Sequence, residues 1–236
     1  MKTIGLLGGM SWESTALYYR WINEGVRDRL GGLHSARIVM VSVDFAEIEV
    51  MQAEGDWAAA GAALAREARH LEAAGAEGLL ICTNTMHKVA DGVQATVEIP
   101  LLHLADATAE RIVAAGVERV GLLGTRFTME QAFYRDRLAS HGLEVLVPDS
   151  AGREAVHRII YEELVLGEVR EASRREVADV VEDLVARGAE GVIEGCTEIT
   201  LLSLGDLVRV PRFDTTRIHA DAAVAWTLGD AGATSG

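Results

Sequence analysis

The chain has 236 residues and carries 22 Lys+Arg against 36 Asp+Glu, a formal net charge of −14 at pH 7. That acidity argues against a nucleic-acid surface, because neutralising phosphates needs clustered Lys and Arg. At 49% hydrophobic and 25% charged, the chain can bury a core and does not read as disordered. No uninterrupted apolar run reaches the roughly 18 residues of a membrane span. Met1-Lys2-Thr3-Ile4-Gly5 leads straight into a strand pattern without the long apolar stretch of a secretory signal. The expectation is a cytoplasmic protein with no membrane and no nucleic-acid partner. Its length suits one large domain or two of about 110 residues.

Strand-length apolar runs fall at about 3–8, 37–43, 78–82, 99–104, 119–123, 143–147, 190–194 and 208–213. Several are almost continuously apolar, as expected of strands buried on both faces of a parallel sheet. Segments with helical periodicity lie between them, at about 12–29, 57–74, 85–96, 105–115, 128–141, 151–187 and 215–229. Asp56 and Thr128 stand where N-caps belong, and Gly75, Gly116, Gly142 and Gly188 follow helical runs as C′ glycines. The alternation predicts an α/β protein with parallel sheets. The tail Gly229–Gly236 is expected to fray.

The chain also repeats itself. Gly5-Leu6-Leu7-Gly8 recurs as Gly121-Leu122-Leu123-Gly124, and Gly75-Ala76-Glu77-Gly78 as Gly188-Ala189-Glu190-Gly191. Cys82-Thr83 recurs as Cys196-Thr197, and Ile99-Pro100 as Val210-Pro211. Four matches in the same order, each about 110–116 residues apart, predict two similar α/β halves. The two cysteines of the chain occupy the same place in their halves.

That place is the carboxyl end of a buried strand, where open parallel sheets bind ligands beside free backbone N–H groups. In a reducing compartment a disulfide is not expected. A lone Cys at a strand end is ordinarily a packing residue. Two related by a repeat suit the inversion of a carbon centre, in which one thiolate removes a proton from one face and one thiol delivers a proton to the other. A helix N-terminus is expected to lower each thiol pKa. Thr and Asn beside the thiols supply hydrogen-bonding groups. Gly5-Leu6-Leu7-Gly8-Gly9-Met10 lacks the G-x-G-x-x-G spacing and reads as a turn lining the cleft rather than a dinucleotide site. A pyridoxal-phosphate enzyme needs a Schiff-base lysine. Of the two lysines, Lys2 opens the first strand and Lys88 is the one candidate, so this cofactor is not expected.

Gly8-Gly9-Met10-Ser11-Trp12-Glu13-Ser14-Thr15, Cys82-Thr83-Asn84-Thr85-Met86-His87, Gly124-Thr125 and Gly195-Cys196-Thr197-Glu198 together resemble the aspartate/glutamate racemase family, over nearly the whole chain. Leu30–Ala36 and Cys82–Ala90 look most like its broad-specificity amino-acid racemase subgroup. The resemblance implies two pseudo-symmetric α/β lobes, each with a mainly parallel four-stranded sheet and with the site in the cleft between them. It implies lobes at 1–104 plus 214–229 and at 105–213, with 230–236 a flexible tail, and a homodimer that acts on a small-molecule amino acid without cofactor or metal. Cys82 and Cys196 are implied as the acid/base pair. Met10, Gln52, Thr83, Asn84, Thr85, Thr125, Thr197 and Glu198 are implied around the substrate.

Aspartate-specific members of that family place an Arg after the second strand and a Lys in a helix of the second lobe. Here those regions read Val50-Met51-Gln52-Ala53 and Glu162-Glu163-Leu164-Val165-Leu166. Without these two cations a second carboxylate is bound poorly, so acidic amino acids are not expected to be preferred over neutral polar ones such as homoserine. Glu194 is unexpected at the end of a buried strand and reads as an interface or cleft-rim carboxylate that raises the Cys196 pKa. Glu162-Glu163 and the cluster Arg170, Glu171, Arg174, Arg175, Glu176 read as solvated helix faces. His103 and Asp106, after the fourth strand, read as groups that satisfy local backbone rather than as cleft residues, and His87, on the helix after Cys82, reads equally as a group that tunes that region or as a capping or packing residue. His34, His70, His141, His157 and His219 lack zinc-site spacing. Competing functions are a related two-cysteine isomerase of the hydantoin racemase or maleate isomerase type, and a non-catalytic two-lobed small-molecule binding protein.

Overall fold

A computed structural model describes residues 1–230. The expected tail at 230–236 lies outside the described residues except for Asp230. The chain divides into two compact units, Met1–Leu104 with the chain from Thr216 onward, and Ala105–Thr215.

In the first unit, β1 (Thr3–Gly8) leads into α1 (Trp12–Leu30), and β2 (Arg37–Ser42) into α2 (Phe45–Glu54) and α3 (Trp57–Ala73). β3 (Gly78–Ile81) is followed by a 3-10 turn at Thr85–Val89 and the short α4 (Ala90–Gln94). The sheet order is β2-β1-β3, all parallel. All six residues of β1 are buried, as a continuous apolar central strand demands. The fourth strand expected at 99–104 contracts to a single bridge between Leu79 and Leu101, so this sheet has three strands. Leu79 N donates to Pro100 O and Leu102 N to Leu79 O, both at 2.9 Å. Pro100 has no N–H to extend the ladder.

The helix α2 was not expected from the sequence. The Asp44 side chain caps it by accepting from Ala46 N at 3.0 Å, and Gly55 ends it in the left-handed region (φ 74, ψ 15). One core of this unit gathers Met10, Ile48, Leu64, Leu71, Met86 and Val93. The other gathers Ile4, Leu6, Tyr18, Ile22, Cys82 and the inner face of the last helix.

The second unit starts at α5 (Leu104–Ala114). It continues through β4 (Arg119–Leu123), α6 (Arg126–Glu130), α7 (Ala132–Ser140), β5 (Glu144–Leu146), α8 (Ser150–Glu162), α9 (Glu171–Ala186), β6 (Gly191–Glu194) and β7 (Arg212–Asp214). The sheet order is β5-β4-β6-β7, again all parallel. The final α10 (Thr215–Leu228) returns to the first unit. There its Trp226 lies so close over β3 that a Cβ on Gly78 would sit 2.5 Å from the indole ring.

Several expected helices are broken. The run at 128–141 divides at Gln131, which is extended (φ −82, ψ 144). Its N-cap is Thr125 rather than Thr128; Thr125 Oγ1 accepts from Thr128 N at 3.5 Å. The run at 151–187 stops at Glu162 and resumes at Glu171, with Gly167 left-handed between them (φ 75, ψ 11). The segment after Cys82, expected as one helix, is a 3-10 turn followed by five α-helical residues. Gly75, Gly116, Gly142 and Gly188 all have positive φ, in keeping with their expected place after helices.

Candidate functional site

The sequence repeat is also a structural repeat. Ile4 pairs with Gly78 and Leu7 with Ile81; Val120 pairs with Gly191 and Leu123 with Glu194. Just past the last pair, Cys82 N donates to Leu7 O at 2.9 Å and Gly195 N to Leu123 O at 2.8 Å. The ladders therefore equate Cys82 with Gly195. Cys196 lies one residue further out, an offset that sequence alignment of the two Cys-Thr pairs conceals. It explains the odd placement of Glu194, which occupies the ladder position of Ile81. A Cβ on Gly195 would come within 2.6 Å of Leu123 O, so this position admits no side chain without a backbone shift.

In the first unit, β1 and β3 are neighbours, so the turn Gly8–Ser11 and the loop Cys82–Thr85 lie side by side. Ser11 caps α1, accepting from Ser14 N at 3.3 Å. The Thr15 hydroxyl donates to Ser11 O at 2.8 Å and accepts from Gly9 N at 2.9 Å. Ser14 Oγ donates to Cys82 O at 3.4 Å, tying the first turn of α1 to the thiol-bearing loop. Met10 is buried, and Gln52 Nε2 points at Met86 Sδ, 2.9 Å away, in the same core. Thr83 is half-exposed, while Asn84 and Thr85 are buried. The fold thus gathers Met10, Gln52 and the Cys82–Thr85 loop into one region of one unit.

In the second unit, Thr125 and the Gly195–Glu198 segment lie at the ends of the neighbouring strands β4 and β6. A Cβ on Gly124 would approach Gly195 O to 3.3 Å. Cys196, Thr197 and Glu198 are half-buried. Cys196 Sγ donates to Glu198 Oε2 at 2.8 Å.

Both thiols are free. Their pKa values go up, not down as the helix-terminus argument predicts. Cys82 is fully buried among apolar side chains, and desolvation disfavours its thiolate. Cys196 is raised by burial first, then by the charge and hydrogen bond of Glu198. The turns that follow the cysteines are 3-10 in type, and the expected dipole effect does not offset the desolvation of the thiols.

Other expectations change with them. Glu194 is 3% exposed and bonded to Arg212 Nη1 at 2.9 Å, so Arg212 is its partner and Glu198 is the carboxylate that acts on Cys196. Burial raises the pKa of Glu194 despite that cation. Glu163, expected in solvent, is 2% exposed; it accepts from Ser173 Oγ at 2.5 Å and lies 3.6 and 3.4 Å from Arg158 and Arg170. Asp106 takes a two-pronged bond from Arg137 (2.7 and 2.6 Å). Lys88 Nζ sits 3.8 Å over the Trp57 ring, and Lys2 Nζ 4.5 Å over Trp226. Sequence reasoning missed His219. It is fully buried on α10 between Tyr18 Oη (2.8 Å) and Leu102 O (2.8 Å), contacts that join segments too distant in sequence to be signalled locally.

Two parallel α/β units, each ending a central strand pair with a glycine turn and a thiol, define a two-lobed racemase-type fold. The chain belongs to the Asp/Glu/hydantoin racemase family, whose profile matches residues 7–223. It is similar to a candidate Asp/Glu racemase from Yersinia pestis (57% identity, TM-score 0.93, 97% of this chain and 100% of that one). It is also similar to an aspartate racemase homologue from Pyrococcus horikoshii OT3 (36% identity, TM-score 0.86, with the same coverage). Among curated proteins, a broad specificity amino-acid racemase of Bacillus subtilis (strain 168) is 23% identical over 162 residues, 67% of this chain and 68% of that protein. Among the described residues no helix is long and apolar enough to cross a membrane.

Proposed function

We propose that the protein is an amino-acid racemase that needs no cofactor and inverts the α-carbon by proton transfer between Cys82 and Cys196. The observation that carries this reading is the placement of both free thiols at the ends of equivalent strands, β3 and β6, each beside the glycine turn of the neighbouring strand. Two-base inversion requires the thiols to reach opposite faces of one α-carbon. In one direction Cys196 passes its proton to Glu198 and, as thiolate, takes the α-proton. Cys82, held protonated by its apolar surroundings, then delivers its proton to the other face. In the reverse direction the roles exchange. Thr83, Asn84, Thr85, Thr125 and Thr197 supply hydroxyl and amide groups for the substrate's carboxylate and amine, and backbone N–H groups stabilise charge developing on the carboxylate.

Broad specificity, favouring neutral polar side chains over acidic ones, is supported by the chemistry around Gln52. It is an uncharged amide directed at Met86 where a carboxylate-binding Arg is expected in aspartate-specific relatives. The same reading takes the protein as a cytoplasmic homodimer, and sedimentation velocity checks the oligomeric state.

The test is exchange in deuterated water, with no added cofactor, over all L- and D-amino acids. Deuterium is expected at the α-carbon of several neutral polar amino acids, and Cys82→Ala or Cys196→Ala abolishes racemisation while leaving the fold intact. Full racemisation by either variant overturns the two-thiol mechanism, and activity on aspartate or glutamate alone overturns the specificity.

A further inference from the structure

We infer that His87 is a positioning residue, clamping the Cys82 loop to the segment Leu102–Leu104 through which the chain leaves the first unit. Its catalytic consequence rests on the racemase reading above; its structural content does not.

The imidazole is 3% exposed, and both ring nitrogens are committed to backbone. Leu104 N lies 3.2 Å from Nε2, and Thr83 O lies 2.8 Å from Nδ1. A peptide N–H can only donate, so Nε2 is the acceptor, and the ring proton sits on Nδ1, donated to Thr83 O. His87 N also donates to Asn84 O at 3.1 Å. His87 thereby holds two of the carbonyls that follow Cys82, Thr83 O through its side chain and Asn84 O through its backbone. The strand ladder stops at Cys82 N, so beyond it the course of the loop is set by side chains such as His87 and Ser14 rather than by sheet pairing.

The other end of the clamp is held too. His219 Nε2 donates to Leu102 O at 2.8 Å, which leaves Nδ1 to accept from Tyr18 Oη at 2.8 Å. The His87 ring stands edge-on to the rings of His103 (4.7 Å between centroids) and His219 (5.7 Å). Leu102, His103 and Leu104 are thus each engaged by this imidazole pair. Chain entry into the second unit at Ala105 follows directly. The arrangement fixes where Cys82 points by reference to the crossover segment, using a neutral ring whose single tautomer is set by Leu104.

Two substitutions separate the two bonds. The Asn amide nitrogen is the same number of bonds from the backbone as Nδ1, so His87→Asn keeps a donor for Thr83 O and loses the acceptor for Leu104 N. His87→Gln does the reverse. The experiment measures iodoacetamide alkylation of Cys82 and Cys196 separately, by peptide mass spectrometry. His87→Gln is expected to speed Cys82 labelling at least tenfold with Cys196 unchanged within twofold, whereas His87→Asn keeps Cys82 within about twofold of wild type. Equal acceleration in both variants, or a parallel rise at Cys196, overturns the inference. Should His87→Gln fail to fold, the His87→Asn labelling and the nitrogen chemical shifts of wild-type His87 decide; an Nε2-protonated ring overturns it. If wild type exchanges α-protons, His87→Gln lowers kcat with KM within twofold. It also slows exchange from the enantiomer deprotonated by Cys82 more than from its mirror image; equal slowing of both overturns the positioning role. If wild type exchanges no amino acid, the racemase reading fails, and the labelling still decides the role of His87.

Discussion

Replacing Glu198 by Gln tests the thiol–carboxylate pair at the end of β6. The Cys196 Sγ–Glu198 Oε2 separation is 2.8 Å. Two unit charges at that distance repel by about 1.5 kcal/mol in bulk water and about 6 kcal/mol at an effective dielectric of 20. Cys196 and Glu198 are half-buried, so the aqueous end of that range governs. The neutral amide removes that repulsion and lowers the Cys196 pKa. By that roughly 1.5 kcal/mol the Glu198→Gln thiol is then expected to alkylate about tenfold faster near pH 8, with its ionisation midpoint displaced downward, while Cys82 in the other unit keeps its own rate. Racemisation moves the other way and falls at least about tenfold, because an amide cannot take the proton that Cys196 must shed. The assay pairs the pH dependence of peptide-resolved alkylation with α-proton exchange. An unchanged Cys196 midpoint, or a faster thiol accompanied by undiminished turnover, would refute the pairing of Glu198 with Cys196 as acid and base.

Three more outcomes follow from buried groups. His219 is held neutral, its pKa pushed down to about 3 by burial and by the neighbouring His87. Below about pH 6.5 the unfolded chain takes up a proton that the folded chain refuses. Stability present above that pH is therefore lost at about 1.4 kcal/mol per unit as pH falls toward 3; urea unfolding of wild type and His219→Phe at pH 7, 6 and 5 should show the gap between them narrowing. Arg212→Met leaves the Glu194 carboxylate buried without its cation and is expected to cost about 3–5 kcal/mol at pH 7. The loss shrinks at pH 5 as Glu194 protonates and is largely restored in the Glu194→Met/Arg212→Met double variant; a cost that ignores pH contradicts the assignment. Gly195→Ala forces its new methyl against Leu123 O and is expected to lose about 1–3 kcal/mol of stability, with racemisation down more than tenfold; calorimetry and exchange assays measure both.

Much of the fold could be read from the chain. Strand β1 and strand β4 fall where continuous apolar runs place them, at 3–8 and 119–123. Asp56 caps α3 as expected, accepting from Ala59 N at 2.9 Å. Such features depend on residues a few positions apart, and local periodicity and capping chemistry report them directly. The repeat identified Cys82 and Cys196 as counterparts because collinear short matches survive in the sequence itself.

What the sequence could not supply depends on which groups share a dry environment. Glu163 reads in sequence as a solvated helix carboxylate and Glu194 as an interface or cleft-rim one, yet each is buried on a partner that its sequence neighbours do not announce, Ser173 and Arg212. The one-residue step between Cys82 and Cys196 emerges only from strand pairing, because an alignment that matches the Cys-Thr pairs absorbs the step as a gap. The direction of the thiol pKa values likewise follows from burial and from Glu198, not from proximity to a helix start. Composition, periodicity and repetition therefore determined the α/β units and the two thiols at their strand ends. Only the tertiary structure decided how each thiol is protonated and held, because desolvation and long-range hydrogen bonds exist only once distant segments have packed together.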